Sequence, residues 1–254
     1  KMREQLVIRQ GLVHDAVHRS PYMADILVEE GKIKKILPKL EEDTIKNAKI
    51  LDAAGLWVYP GFVEAHCHLG LDGYGIGFEG ADYNEVTDSL TPQLSAVDGL
   101  NPQDESIRFA MEAGVTCVAA GPGSSNVLGG TFTVYKTVGK RIDDMIVKER
   151  AAMKCAFGEN PKVCYKEKDN YSRMSTASKI RIMLMRTREY LAKQEAAGED
   201  IWKRPPYDPK LEALIPVIQG TLPLKAHVHQ ANDIYTAIRI AKEFHVGLAL
   251  DHCT

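Results

Sequence analysis

Trp57-Val58-Tyr59-Pro60-Gly61-Phe62-Val63-Glu64-Ala65-His66-Cys67-His68 is the stretch whose reading decides the fold. Pro60-Gly61 reads as a turn, and the apolar run after it ends in two histidines one residue apart. In a strand, the period of two points His66 and His68 to one side and Cys67 to the other. Two imidazoles then reach one point, where a divalent metal such as zinc takes both as neutral ligands. The glycine-rich stretch from Leu69 to Gly80 leaves such a site open. An isolated His-x-His equally suits a strand that ends in two polar residues, so the surrounding chain has to decide between the two readings.

The bulk numbers narrow the field. A chain of 254 residues, 44% apolar and 26% charged, has ordinary globular composition and room for one large domain beside a small one. Its net charge of −2 gives no reason to expect nucleic acid or an anionic membrane as partner. No apolar run approaches the length of a bilayer span, and residues 1 to 20 carry scattered charges where a signal peptide has an apolar centre. Five cysteines at irregular spacing, with no C-x-x-C, suit free thiols in a reducing compartment. These readings together predict a soluble cytoplasmic protein.

Taken in order, residues 1–58 read as short strands of a small β-sandwich. Gln5 to Ile8 and Leu12 to Val17 are candidates, and a hairpin turns at Glu29-Glu30-Gly31-Lys32. His14 and His18 lie here without a third ligand and read as surface residues. Leu69 to Leu100 is a long irregular stretch with six acidic residues and no lysine or arginine; it reads as a lid, a solvated loop or a subunit contact. A helix from Asn101-Pro102 to Gly114 and a buried strand Val115 to Ala120 give a helix, glycine, strand rhythm. The strand runs into a loop, Gly121 to Gly130, whose backbone amides, Gly129 and Gly130 included, are placed to hold a substrate oxygen, though a plain loop fits equally. Ala152 to Pro161 reads as a strand with Glu159 at its C-terminal end. Ile180 to Ala197 and Leu211 to Ile218 read as helices with no strand between. Leu224-Lys225-Ala226-His227-Val228-His229-Gln230 is a strand with the second His-x-His, and Val246 to His252 is another with a terminal histidine. His245 precedes that strand and reads as a surface residue.

Three blocks in order, Asp25-Ile26-Leu27-Val28-Glu29-Glu30-Gly31-Lys32-Ile33, Leu51-Asp52-Ala53-Ala54-Gly55-Leu56 and Pro60 to His68, resemble the N-terminal signature of the amidohydrolase superfamily. These are the metal-dependent hydrolases that include dihydroorotase, imidazolonepropionase and dipeptidase-like enzymes. The resemblance implies a TIM-type (β/α)8 barrel over residues 59–254, incomplete in this chain and preceded by the sandwich. It also implies metal ligands at His66, His68, His227 and His252. A carboxylate or a carbamylated lysine bridges two metals in several branches; Glu159 is the first candidate for that place and Lys154 the second, while a turn or helix-capping carboxylate remains open for Glu159. His229 faces with His227, so it either touches substrate or stands by. The implied cofactor is a divalent metal, two zinc ions in a complete site, with manganese, iron or nickel as alternatives. A metal-bound hydroxide would then hydrolyse a C–N bond of a small amide, cyclic amide or dipeptide.

The family places a catalytic Asp at the end of the eighth strand, and no residue up to Thr254 matches it. The expectation is therefore a piece of a protein of roughly 400 residues, with a homo-oligomer or a complementing C-terminal fragment covering its open edges. A non-catalytic scaffold of the same fold and a mononuclear deaminase or imidazolonepropionase-like enzyme are the competing readings. Both His-x-His pairs favour the enzyme, since a scaffold has no use for ligands.

Overall fold

A computed structural model describes residues 5–46 and 48–254. The first four residues of the expected sandwich, and Asn47 within it, lie outside the described residues. The chain divides into two compact units, one ending at Gly61 and one running from Phe62 to Thr254.

In the first unit, strands β1 (Gln5–Val13), β2 (Tyr22–Glu29), β3 (Lys32–Leu37), β4 (Lys49–Asp52) and β5 (Trp57–Val58) surround a one-turn helix α1 (Glu42–Ile45) in the sequence. Glu30 and Gly31 both take positive φ, 50° and 72°, the two-residue turn that suits the right-handed twist of a hairpin. The expected hairpin is therefore present, but Gln5 to Val13 is one strand rather than two. It pairs with β2 on one side and with β4 and β5 in succession on the other. Gly11 permits this, because a Cβ there would lie 2.5 Å from Val58 Cγ2. The described residues form a single mixed sheet, with Val7, Leu27, Leu40 and Ile45 in one apolar cluster and Val13, Ala24 and Ile26 in another. The two-layer sandwich expected from the sequence is not seen among them.

The second unit carries β6 (Phe62–Cys67), β7 (Val115–Ala120), β8 (Leu128–Lys136), β9 (Ile146–Ala156), β10 (Leu224–Val228) and β11 (Leu248–His252). Its helices are α2 (Ala96–Gly99), α3 (Glu105–Glu112), α4 (Ile142–Met145), α5 (Glu159–Tyr165), α6 (Arg173–Ala197), α7 (Pro209–Ile218) and α8 (Ala231–Phe244). This is a mixed α/β fold around one six-stranded sheet, which runs in chain order from β6 to β11. The pairings β6/β7, β9/β10 and β10/β11 are parallel. Those of β8 with β7 and β9 are antiparallel, which corrects the all-parallel expectation. With β8 included, the strand of His227 is the fifth of this sheet.

Helix α6 packs with α7 and α8 over the apolar cluster of Leu128, Met153, Ile180, Leu184, Leu214 and Ile240. This buried layer holds β9 and β10 rigidly side by side, and so fixes the residues on their opposite face. Helix α3 begins later than Asn101-Pro102 predicts, because Asp104 is the cap that accepts from Ser106 N at 2.8 Å. No helix of the described residues is long and apolar enough to cross a membrane.

Candidate metal and active site

Strand alternation gathers the histidines. Lys154 on β9 pairs in register with Lys225 on β10, and His227 pairs with Asp251 on β11. All four side chains therefore point to the face opposite the helices. By alternation His252 would face the other way with Val228, its register partner. Its φ of 72° breaks the alternation and swings the ring back, to a centroid distance of 4.6 Å from His227. Such left-handed backbone is uncommon for a residue with a side chain, and concentrates at functional sites.

Five imidazoles meet here. Ring centroids are 5.5 Å apart for His66 and His68, 5.0 Å for His66 and His252, 4.7 Å for His227 and His229, and 5.1 Å for His229 and His252. His68 stacks on Tyr83 at 5.2 Å, and its Nδ1 lies 2.7 Å from the Gly121 carbonyl. A carbonyl only accepts, so Nδ1 of His68 carries the proton and Nε2 keeps a lone pair. Burial pushes His227 down to about 3, helped by the Lys154 charge. Burial likewise lowers His68 and His252, so these rings are neutral, the form that binds a metal.

Two lysines and an aspartate complete the cluster. Lys154 is fully buried, and its Nζ has no hydrogen-bond partner; burial lowers it to about 8. Lys225 Nζ donates to Asp251 Oδ1 at 2.6 Å, and Asp251 Oδ2 stands 2.9 Å from His66 Nδ1. Burial alone would raise Asp251, but its His66 and Lys225 contacts hold it at about 2. Phe132 floors the site, its ring centroid 5.2 Å from that of His66 and 5.5 Å and 5.3 Å from the ammonium groups of Lys154 and Lys225.

Other expected residues stand elsewhere. Strand β9 ends at Ala156, and Gly158, with φ of 80°, turns the chain so that Glu159 opens α5. Glu159 is exposed and lines a groove with Lys162, Lys166 and Arg173; it is not brought to the imidazoles, whereas Lys154 is. Its neighbour Asn160 reaches in instead, with Nδ2 2.7 Å from Ser124 Oγ and 3.3 Å from His227 Nε2. Gly129 and Gly130 do not belong to a loop. They lie buried in β8, with Gly130 paired to Lys154 and a position where a Cβ would meet the Leu94 carbonyl at 2.4 Å. Gly129 instead borders a cleft of about 600 Å³ together with Tyr83, Asp82, Glu85 and Asp98. His229 is exposed, with Nδ1 2.8 Å from Thr254 Oγ1. His245 is exposed at the end of α8, and His14 stacks on Tyr59 within the first unit. Asp251, Lys225 and Asn160 were not singled out from sequence; the signal for the first two is a charged residue inside an apolar strand.

No family model matches the chain. It is 29% identical, over 91% of its length, to amidohydrolase tasK of Hapsidospora irregularis, and 31% identical, over 55%, to a dihydroorotase of Ruminiclostridium cellulolyticum. The crystal structure of an amidohydrolase from Thermotoga maritima superposes with a TM-score of 0.92 at 39% identity, over 98% of this chain. The chain belongs to the amidohydrolase superfamily. It spans 26% and 27% of the two curated relatives and 64% of the Thermotoga chain.

Within this amidohydrolase-superfamily chain, the cluster can be tested for fit to a divalent metal. Among the described residues, no three His, Cys, Asp or Glu side chains are already drawn into a metal shell. The donor chemistry nevertheless fits. Neutral imidazoles from three strand ends share one face, and the buried amine of Lys154 is left without a partner beside them, an arrangement that costs stability unless something engages it.

Proposed function

We propose that the chain belongs to a metal-dependent hydrolase that cleaves a C–N bond in a small amide, cyclic amide or dipeptide. One observation carries this reading: five imidazoles meet on the face of a nearly closed sheet that also holds a buried lysine without a hydrogen-bond partner. A TIM-type barrel is the architecture proposed with it.

His66, His68, His227 and His252 would hold the divalent cation or cation pair, most naturally zinc given the nitrogen donors. Such a cation, when bound, activates water and polarises a carbonyl. Lys154, rather than Glu159, would help to hold the metal as a carbamate. Its lowered pKa enriches the free amine, the form that adds to carbon dioxide and loses a proton to give a carbamate. Asn160 would release His227 Nε2 when that nitrogen takes up a ligand. Tyr83 and Phe132 wall the cluster with apolar surface, which keeps the charges in it from being screened by water. The acidic residues of the neighbouring cleft, Asp82, Glu85 and Asp98, favour a substrate with a cationic group over an anionic one.

The test is to purify the complete protein, strip it with a chelator, and reconstitute it with zinc or manganese. Hydrolysis of at least one member of a panel of dihydropyrimidine-type cyclic amides, N-acyl amino acids and dipeptides should appear only on reconstitution. A protein that takes up no metal at micromolar concentration, or whose hydrolysis is the same with and without it, would sink the proposal.

A further inference from the structure

We infer that Lys225 and Asp251 are positioning residues, which fix the nitrogen that His66 presents to the cluster. Lys225 and Asp251 are 9% and 8% exposed, a degree of burial that lysine and aspartate tolerate only when paired. Lys225 is in register with Ala249, so its stem runs two residues along β11 to reach Asp251 Oδ1 at 2.6 Å. A salt bridge between neighbouring strands would be satisfied by that contact alone. What it leaves unexplained is the second carboxylate oxygen.

That oxygen lies across the sheet within ion-pair distance of His66 Nδ1, 2.9 Å away, and neither atom has a hydrogen-bond partner among the described residues. Two lone pairs do not face each other at that distance and a carboxylate only accepts, so Nδ1 carries the hydrogen and Nε2 keeps its lone pair. Lys225 acts one step back, by holding the carboxylate in the orientation that meets His66. Lys154 does not substitute for it, since its own Nζ reaches no acceptor. The consequence for metal binding rests on the hydrolase reading above; the ring tautomer does not.

Nitrogen-15 long-range correlation spectra of the metal-free complete protein measure the tautomer directly. His66 should be protonated on Nδ1 in the wild type. In Lys225→Met and Asp251→Asn it should move to the Nε2–H form or a mixture, and Co²⁺ binding, measured against a competing chelator, should weaken roughly 10- to 100-fold. Lys225→Arg, which restores a cation beside Asp251, should recover both readings. A wild-type His66 protonated on Nε2, or folded variants with an unchanged tautomer, would overturn the inference even if they unfold more easily, because the pair would then be structural only. Should the wild type bind no divalent cation, the hydrolase reading fails, while the tautomer result still decides this one.

Discussion

His66 and Asp251 meet at 2.9 Å although they stand on β6 and β11, the two outermost strands of the same sheet. A flat six-stranded sheet would hold its edges some 25 Å apart at about 4.8 Å per strand. Strand twist and coiling therefore bring the edges round to face each other, and the charged trio of Lys225, Asp251 and His66 lies where they meet. Asp251→Ala leaves the Lys225 ammonium buried without its carboxylate. The expected loss is about 3–5 kcal/mol in urea unfolding, and a double replacement, Lys225→Met with Asp251→Leu, should cost less than the single. A single-variant loss below about 1 kcal/mol, the range of an exposed pair, would show that water reaches it.

Lys154 presents the opposite case, a buried amine without a hydrogen-bond partner. Lys154→Met keeps most of the stem and removes the unpaired nitrogen, so the unfolding temperature of the metal-free protein should stay level or rise. Metal uptake by the same variant should fall, if the site works as proposed. A clear drop in unfolding temperature without metal would mean that Nζ has a partner in solution.

His227 and Asp251, two of the groups whose folded values are depressed, shape the acid side of the stability profile. His227, near 3 when folded against 6.5 ordinarily, is protonated in the unfolded chain before it is in the native one. The contribution of His227 to the stability of the metal-free protein should therefore be fully present above about pH 6.5 and be lost as the pH falls toward 3, with the lowered His68 and His252 adding to the same slope. Asp251, near 2 against 3.8, adds a second loss that begins below about pH 4. Urea midpoints of the wild type and of His227→Phe across this range make the check: the variant should flatten the upper part of the slope, and identical slopes would reject the assignment.

Gly121 is the tightest spot behind the site, since a Cβ there would lie 2.3 Å from the ring of Phe132. Gly121→Ala must displace that ring, which is fully buried and touches the His66 side of the cluster. A cost of about 1–3 kcal/mol is expected, together with a shift in the His66 ring resonances. Unchanged spectra would mean that the loop after β7 moves in place of the ring.

Much of this arrangement was legible in the sequence because strands announce themselves by their ends. The two His-x-His pairs and the Asp251-His252 terminus follow apolar runs, and the structure puts those termini together. Two signals misled. Gly129-Gly130 looks like loop punctuation, yet the pair opens β8, where the Leu94 carbonyl crosses so closely that no side chain fits. Glu159 looks like a strand-end carboxylate, but the positive φ of Gly158 ends the extended run early and hands Glu159 to a helix. Lys154 was visible as a lone charge in Ala151 to Phe157, an apolar context that only the burial of β9 makes decisive. The positions of Lys225 and Asp251 relative to His66 depend on sheet curvature, which local pattern does not encode.

The antiparallel strand β8 has a kinetic consequence. Strand β8 pairs on both sides with its chain neighbours β7 and β9 through short connections, whereas β6 and β7 are separated by a long stretch and β9 and β10 by α5, α6 and α7. Contacts close in sequence cost little loop-closure entropy and form early. The three-stranded meander is thus placed to nucleate the unit, with Lys154 already in its wall, and the histidines from the two chain-distant edges arrive last.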